Sequence, residues 1–355
     1  MDGYTILISQ QTWDDALEPY RQEVNRGGKP GRRLEDRLNK SQSASTESVA
    51  FLSELMNTKQ PQIFAESAVF GNGLDWNQTE LSILGDITMA MPVTIFDNGR
   101  HQMPKVHGEP LEGTLLFTPG ALLRNGRGES PADFMAVTVD QNLDSEKYLK
   151  LYERRLLPPL IYADEICKNK GKKGFITIPG LGCGVFAGRF KGELGEMLNQ
   201  TLQKILGTHM SKLQNIKAIY YDPYGECKNE RYEFNELSYM VRPLLQANDE
   251  KPQLCHPATY EEAGDDFANC EFFSFVAWDH VSWPGNDYYI GSRATDDGVK
   301  GAATDTMRVM TGFNGRYDPI HNKYLPPNGF KNWLEIMQFY GLGLKVDELN
   351  LKVVG

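Results

Sequence analysis

A glycine-rich turn is the first candidate for chemistry in this sequence. The stretch FITIPGLGCGVFAGRFKGELGEML, 175–198, sets Gly180, Gly182, Gly184 and Gly188 between an apolar β-branched run and a helical pattern. Glycine lets the backbone approach a ligand closely, and a helix N-terminus offers unpaired N–H groups with partial positive charge. The pattern predicts an anion site suited to a diphosphate, with a ligand-free strand-to-helix turn as the alternative.

Two other phosphate motifs do not match this turn. No Lys-Ser or Lys-Thr follows in the spacing of a P-loop. The residues GLGCG supply GxGxG, but Val185 stands where a dinucleotide fingerprint needs its third glycine. At the end of the following strand, the acidic residue that is well placed is Asp222. Neither a P-loop nor a dinucleotide site is therefore predicted.

Five aspartates form the second candidate group: Asp279, Asp287, Asp296, Asp297 and Asp305. Asp279 closes an apolar run and Asp287 lies in a loop of Trp, Pro and Gly. Asp296 and Asp297 begin a predicted helix, where capping and the helix dipole also favour acids, so each could be structural. Helix geometry turns Asp305 away from Asp296 and predicts a solvated or structural role for it. Beside a ribose, such carboxylates can stabilise positive charge at C1 and activate water.

Three motifs carry a resemblance to a known family. IPGLGCGVFAG resembles the diphosphate loop of macrodomains, the modules that bind ADP-ribose, and DDGVKGAA resembles their helix-opening motif. LGDIT resembles, more weakly, the macrodomain strand whose Asp binds the adenine amino group. The resemblance implies that 182–186 wrap the diphosphate and that Cys183 is a loop residue rather than a nucleophile. The residues expected to bind ADP-ribose are Gly180, Leu181, Gly182, Cys183, Gly184, Val185, Phe186, Asp296, Tyr221, Asp222 and Asp86.

The resemblance includes an aromatic residue for the adenine. Tyr221 would supply it, although strand alternation places Tyr220 and Tyr221 on opposite faces, so that only one can line a cleft. A core tyrosine beside a surface tyrosine is the alternative.

The order of the motifs departs from the macrodomain pattern, since the helix-opening motif follows the diphosphate loop. The family's Asn-Asn pair is replaced by Trp278, Asp279 and His280. The combination is most similar to the arginine-specific macrodomain ADP-ribosylhydrolases, a group that includes a Legionella effector acting on ADP-ribosylated ubiquitin. The resemblance implies catalytic Asp287 and Asp297 at the distal ribose and water, with Asp279 supporting the ribose. A non-catalytic ADP-ribose reader is the alternative; the glutamate signature of poly(ADP-ribose) glycohydrolases is absent.

Strands that alternate with helices must position these residues, which predicts an α/β fold. We expect a three-layer α/β/α macrodomain-like fold with a mixed sheet, a rearranged motif order and additions at both ends. The expected divisions are an N-terminal extension at 1–79 for helical substrate recognition, a catalytic core at 80–330, and a C-terminal helix and tail at 331–355. We also expect a surface loop at 26–48, two strands within 80–99, a strand at 134–140, a break or kink at Pro158–Pro159, and a helix at 235–246.

Composition limits the partners. The net charge is −10 and the pI is about 5.2, which disfavours nucleic acid and agrees with a basic side chain as substrate. Five cysteines without a CxxC pair and six scattered histidines predict no disulfide framework, no metal and no cofactor. No apolar run approaches a membrane span. We expect a cytoplasmic protein, or one delivered to the host cytosol if it is a bacterial effector, that acts on an ADP-ribosylated protein.

Overall fold

A mixed nine-stranded sheet forms the centre of the computed structural model, which describes residues 3–40, 47–64, 74–124 and 130–355. The strands are β1 Thr5–Ser9, β2 Thr88–Asp97, β3 Val106–Pro119, β4 Thr138–Val139, β5 Asn142–Leu143, β6 Gly174–Pro179, β7 Ile216–Asp222, β8 Glu230–Phe234, β9 Leu237–Val241, β10 Glu271–Trp278, β11 Arg316–Asp318, β12 Lys323–Leu325 and β13 Leu351–Val354. The order across the sheet is β13-β1-β2-β3-β10-β6-β7-β9-β8, while β4–β5 and β11–β12 form separate pairs.

Helices cover both faces of this sheet. They are α1 Gln10–Thr12, α2 Glu18–Asn25, α3 Arg32–Leu38, α4 Ser48–Met56, α5 Gln78–Gly85, α6 Ala132–Val137, α7 Ser145–Lys170, α8 Leu194–His209, α9 Asp296–Ala303, α10 Thr306–Thr311 and α11 Trp333–Tyr340. Alternating strand residues enter two cores: Phe175 packs on one side of β6 with α4 and α5, whereas Ile176 and Ile178 pack on the other with α7 and α8. The fold is therefore a three-layer α/β/α arrangement.

Five neighbouring strands, β3, β10, β6, β7 and β9, run parallel. Their carboxyl ends consequently meet at one edge of the sheet, at Pro119, Trp278, Pro179, Asp222 and Val241. In open α/β sheets, ligands bind outside these ends. Both candidate groups from the sequence, the glycine-rich turn and the aspartates, follow strands of this parallel block.

Both ends of the chain join the same sheet. β1 pairs in parallel with β13 and antiparallel with β2, so it lies between the last strand and the first strand of the predicted core. Helices α2 and α4 bury Tyr20, Phe51 and Leu52 in the core that also contains Met89. The regions that the sequence predicted as additions to the core thus supply two of its strands and part of its apolar packing.

Three predicted segments differ in the structure. Residues 80–99 form α5 and one strand, β2, because Asn77 and Glu80 cap each other's backbone N–H groups and start a helix. The segment 134–140 forms the end of α6 and the short β4. The segment 235–246 contains β9, whose residues are all buried and mostly apolar, a composition that also suits a helix.

The remaining differences concern a loop and two prolines. The expected loop at 26–48 contains α3, and its positions 41–46 lie outside the described residues. α7 runs without a break through Pro158 and Pro159, starting at the side chain of Asp144, which accepts from Lys147 N, and ending at Gly171 with φ 63°.

Candidate functional site

The glycine-rich turn leaves β6 and enters a short 3₁₀ segment at Val185–Phe190. Gly182 has φ 76°, a conformation that favours glycine. Gly184 and Val185 are exposed, Gly180 and Phe186 are half-buried, and Leu181 is buried. The N–H groups of Gly184, Val185 and Phe186 donate no hydrogen bond to the described part of the chain. Three consecutive amides are thus available to an anion.

A second loop, 120–124 after β3, lies against this turn, and the sequence did not predict it. A Cβ built on Gly120 would stand 2.3 Å from Gly182 N, so only glycine fits there. The hydroxyl of Tyr152 accepts from Ala121 N at 3.0 Å and donates to Leu181 O at 2.7 Å. The Tyr152 hydroxyl thus connects the two loops and fixes the shape of the turn.

Cys183 lies on the buried side of the turn, with 8% of its surface exposed. Burial raises the pKa of its thiol well above the ordinary range, with a further contribution from Glu226. The thiol is therefore held neutral, which disfavours a nucleophilic role.

Tyr221 and Tyr220 are both core residues, so the structure shows neither a tyrosine that lines a cleft nor the surface tyrosine of the alternative. Tyr221 is fully buried beneath the turn, and its hydroxyl donates to Gly195 O at 2.9 Å. Tyr220 packs on the opposite face, with its ring centroid 4.6 Å from that of Tyr260. Neither ring is available to stack on an adenine in this structure.

Asp222 closes β7 as a buried acceptor for the next loop. Its Oδ1 accepts from Tyr224 N and Leu244 N, each at 2.8 Å, and its Oδ2 accepts from Gln253 Nε2 at 3.3 Å. Burial raises the pKa of Asp222, against these hydrogen bonds. The residue lies beside the turn, but its contacts shape the loop after β7.

Asp86 lies in a buried ion-pair network instead of an open adenine site. Its Oδ1 accepts from Arg155 Nε at 3.0 Å, and its Oδ2 accepts from Arg154 Nε at 2.8 Å and Thr12 Oγ1 at 2.9 Å. Arg155 also pairs with Asp133 through a 2.6 Å Nη2–Oδ1 contact. Because both oxygens of Asp86 already have partners, this geometry does not support the expected contact with an adenine amino group.

The loop after β10, 279–295, is built around the first of the predicted catalytic acids. Asp279 Oδ1 accepts from Val281 N at 2.7 Å and Ser282 N at 2.6 Å, and its Oδ2 accepts from Asn286 Nδ2 at 3.2 Å. Asp279 is 5% exposed. Asp279 therefore holds the start of the loop against β10.

Asp287 closes the other end of this loop. Its Oδ1 accepts from Thr295 Oγ1 at 2.5 Å, and its Oδ2 accepts from Ala294 N at 3.0 Å. Thr295 in turn caps α9 by accepting from Gly298 N. Asp287 is 1% exposed, so its contacts tie the loop to the start of α9.

Asp297 differs from these two acids in having a free oxygen. Its Oδ1 accepts from Gly285 N at 2.6 Å, whereas its buried Oδ2 has no hydrogen-bond partner among the described residues. Burial raises the pKa of Asp297 well above its ordinary value, and Asp279 and Asp287 add repulsion. Of the three predicted catalytic acids, Asp297 alone keeps a carboxylate oxygen for chemistry within this part of the structure.

Asp296 points toward the other side of α9, where it is partly exposed. Its Oδ2 accepts from Ala277 N at 2.8 Å and pairs with Lys300 Nζ at 3.0 Å. Lys300 is fully buried and also donates to Phe275 O at 2.5 Å, and burial lowers its pKa against the attraction of Asp296. The pair links α9 to β10, and no pattern in the sequence indicates this role for Lys300.

Lys59 is the second buried lysine that the sequence did not predict. Its Nζ donates to His280 O at 2.6 Å and lies 4.1 Å from the centroid of the Trp278 ring. Burial lowers the pKa of Lys59 to about 7, while Asp279 and Asp297 oppose that shift. Its neighbours in the sequence form no motif, so only the tertiary structure brings it to His280 and the Trp278 ring.

The arrangement thus combines a turn with free amides and a loop with several carboxylates, at the carboxyl ends of neighbouring strands. Gly120 N, in the loop that touches the turn, donates to Trp278 O at 3.2 Å, directly before the aspartate loop. The chain matches the family model described as Macrodomain effector MavL over residues 4–330. It belongs to the MavL macrodomain effector family.

The match to the MavL family has consequences for the organisation of the chain. It begins before β1 and ends after β12, so it includes the N-terminal region that the sequence set apart from the core. Membership supports a function that involves ADP-ribose. No curated protein matches the chain. Among its described helices, none is long and apolar enough to cross a membrane.

Proposed function

We propose that this MavL-family protein is an ADP-ribosylhydrolase that cleaves the N-glycosidic bond between ADP-ribose and an arginine side chain of a protein. Ubiquitin is the candidate protein substrate, through the resemblance of the site motifs to the arginine-specific enzymes. As a member of an effector family, the protein would act after delivery into a host cell. No cofactor or metal has a role in this proposal.

The observation that carries the proposal is the pairing of free amides with an acid that has a free oxygen. The N–H groups of Gly184, Val185 and Phe186 would hold the diphosphate. Asp297 lies in α9, which follows β10, the strand next to β6. Its Oδ2 has no hydrogen-bond partner among the described residues. A diphosphate held by the turn would leave the distal ribose to extend toward the aspartate loop.

Cleavage would break the bond between ribose C1 and the guanidine nitrogen and form a bond from C1 to a water oxygen. Positive charge develops on the ribose as the arginine leaves, and nearby carboxylates stabilise it. Ionised Asp297 would accept a proton from the attacking water, and this proton would return to the departing guanidine. Asp287 and Asp279 would hold the loop that carries the site, and their charge would attract the cationic substrate.

A turnover assay on defined linkages tests this function. The protein is incubated with arginine-linked, serine-linked and glutamate-linked ADP-ribosyl proteins, and the release of ADP-ribose is measured. We expect release from the arginine-linked substrate and none from the other two. Absence of release from arginine-linked substrate, with intact ADP-ribose binding in a calorimeter, would reject the hydrolase in favour of a reader.

A non-catalytic ADP-ribose reader is the second candidate, and one observation favours it. The carboxylates of Asp279 and Asp287 accept hydrogen bonds from residues of the same loop. A reader needs the loop geometry alone, without a free acid. The unpartnered Oδ2 of Asp297 favours the hydrolase over the reader, because a purely structural carboxylate would be expected to have both oxygens satisfied.

A further inference from the structure

The two loops that meet at the free amides carry positive charge and no acid. Residues 120–124 and 180–192 contain Arg124, Arg189 and Lys191 but neither Asp nor Glu, in a chain whose net charge is −10. The aspartate loop after β10 has the opposite balance, with more acidic than basic residues. The positive charge is thus local to the turn, where it would attract an anionic ligand.

Arg189 belongs to the 3₁₀ segment that also carries the free amides of Val185 and Phe186. Its guanidinium carbon lies 5.3 Å from the ring centroid of Phe134 and 4.8 Å from that of Phe190, and these two rings are stacked on each other. Contact with ring faces holds a guanidinium in place and leaves its in-plane N–H donors open. The side chain of Arg189 is therefore kept on this segment without use of its hydrogen-bonding groups.

Arg124 reaches the same segment from the second loop. Leu123 N donates to Phe186 O at 2.9 Å, which places the next residue, Arg124, beside the turn. A Cβ built on Gly188 would stand 3.1 Å from Arg124 Cβ, so the two loops are in direct contact at this point. Exposed arginines from two separate loops thus lie on or against the segment that carries the free amides.

Neither of these guanidinium groups has a polar partner in the described part of the chain. Most of the described arginines form an ion pair with Asp or Glu, as Arg154 and Arg293 do. Arg124 and Arg189 form neither an ion pair nor a side-chain hydrogen bond there. The planar fork of arginine matches the oxygens of a phosphate group. Two unpaired arginines at this turn, in a chain rich in acids, therefore indicate a role in ligand binding.

We propose that Arg189 and Arg124 bind the phosphate groups of the ligand, so that guanidinium groups as well as backbone amides hold the diphosphate. The inference rests on the proposed function, which places the diphosphate of ADP-ribose at this turn. It gives the site a charge specificity, because the arginines contribute nothing to an uncharged nucleoside. A positive turn beside an acidic loop also matches a substrate with an anionic diphosphate and a cationic guanidine.

Calorimetry with inorganic pyrophosphate and with ADP-ribose tests the inference in the full chain. Arg189→Met keeps an apolar stem over the two rings, and Arg124 is exposed, so Arg189→Met and Arg124→Met should both unfold at the wild-type urea midpoint. Each variant should bind both ligands about fivefold to tenfold more weakly, as expected for the loss of a charge-assisted hydrogen bond. The difference from wild type should be larger at about 50 mM than at about 200 mM salt, because salt screens the guanidinium.

Arg26→Met is the matched control, since Arg26 is also exposed, forms no ion pair with the described residues and lies outside both loops. It should bind like wild type. Wild-type affinity for pyrophosphate in both test variants would overturn the inference, and so would an equal loss in the control.

Turnover of the arginine-linked substrate separates this inference from the proposed hydrolase. Arg189→Met should raise KM and leave kcat unchanged, because a residue that binds the diphosphate takes no part in proton transfer. A lower kcat with unchanged KM would overturn the inference. If wild type binds pyrophosphate through the arginines but releases no ADP-ribose, the hydrolase fails and the inference stands. If wild type binds neither pyrophosphate nor ADP-ribose, both fail.

Discussion

The carboxylate of Asp287 lies directly over Gly298, the third residue of α9. A Cβ built on Gly298 would stand 1.9 Å from Asp287 Oδ1. The same oxygen accepts from Thr295 Oγ1, so it cannot move away without breaking its hydrogen bond to the residue that caps α9. Gly298 of the DDGVKGAA motif is therefore required for steric reasons, because a side chain at this position would occupy the space of the Asp287 carboxylate.

Gly298→Ala should displace Asp287 and destabilise the protein by about 1–3 kcal/mol, the usual range for overpacking. Gly207→Ala in α8 is the matched control, because its Cβ would meet only Phe234 Cε1 at 3.8 Å. The control should be neutral or slightly stabilising, since alanine favours helix. Urea unfolding measures both, and equal midpoints for Gly298→Ala and wild type would contradict the steric argument.

Gly184→Glu should reduce ADP-ribose affinity by at least about tenfold through bulk and negative charge, a difference of about 1.4 kcal/mol. No atom lies within 4 Å of a Cβ built at Gly184, so the fold should tolerate the change. Gly184→Ala is the control and should bind nearly as well as wild type. Calorimetry with free ADP-ribose measures the affinities. Unchanged binding by the glutamate variant would show that the turn does not hold the diphosphate.

Asp297→Asn should abolish turnover yet retain ADP-ribose binding, because the amide keeps the shape but cannot accept a proton from water. Its effect on stability should depend on pH. Burial raises the pKa of Asp297, so the carboxyl contributes stability that is full below its unfolded pKa of about 3.9 and is lost as pH rises toward the folded value. The free energy of unfolding should thus shift in favour of the variant between pH 4 and 7.

Urea unfolding at several pH values, together with the arginine-linked turnover assay, checks both parts of this prediction. Asp15→Asn, an exposed aspartate, is the control and should change neither activity nor pH dependence. Full activity in Asp297→Asn would remove this residue from the mechanism.

Arg155→Met should destabilise the protein by about 3–5 kcal/mol, because it leaves the buried Asp86 and Asp133 without their shared partner. Lys204→Met, which breaks the exposed pair with Glu146, should cost at most about 1 kcal/mol. Chemical unfolding at pH 7 distinguishes the two. Equal small losses in both variants would contradict a structural role for the Arg155 network.

The same network predicts acid sensitivity. Burial opposes the ionisation of Asp133, but Arg155 and His280 together outweigh it and hold the pKa of this carboxyl well below its ordinary value. Its stabilising contribution is therefore present above the unfolded pKa, about 3.9, and is lost as pH falls below it. Wild type should lose stability on acidification more steeply than Arg155→Met, as measured by unfolding between pH 5 and 2.

Local sequence patterns correctly predicted the strands whose own residues favour the extended conformation. The β-branched run at 174–179 is β6, and the apolar runs before Asp222 and Asp279 are β7 and β10. The patterns failed where tertiary context outweighs local preference. β9 is a strand because it pairs with β7 in the buried sheet, although its apolar run suited a helix equally well.

The sequence by itself determined the family, the α/β fold class and the two chemical groups: a turn bare enough for an anion and a run of acids after a strand. Tertiary structure alone decided which polar groups have hydrogen-bond or ion-pair partners within the fold. It paired Asp86 with arginines, buried Tyr221, and brought Lys59 to the carbonyl oxygen of His280, more than two hundred residues away in the chain. The physical reason is that hydrogen-bond partners and burial depend on distances in the folded sheet, which no local spacing of residues encodes.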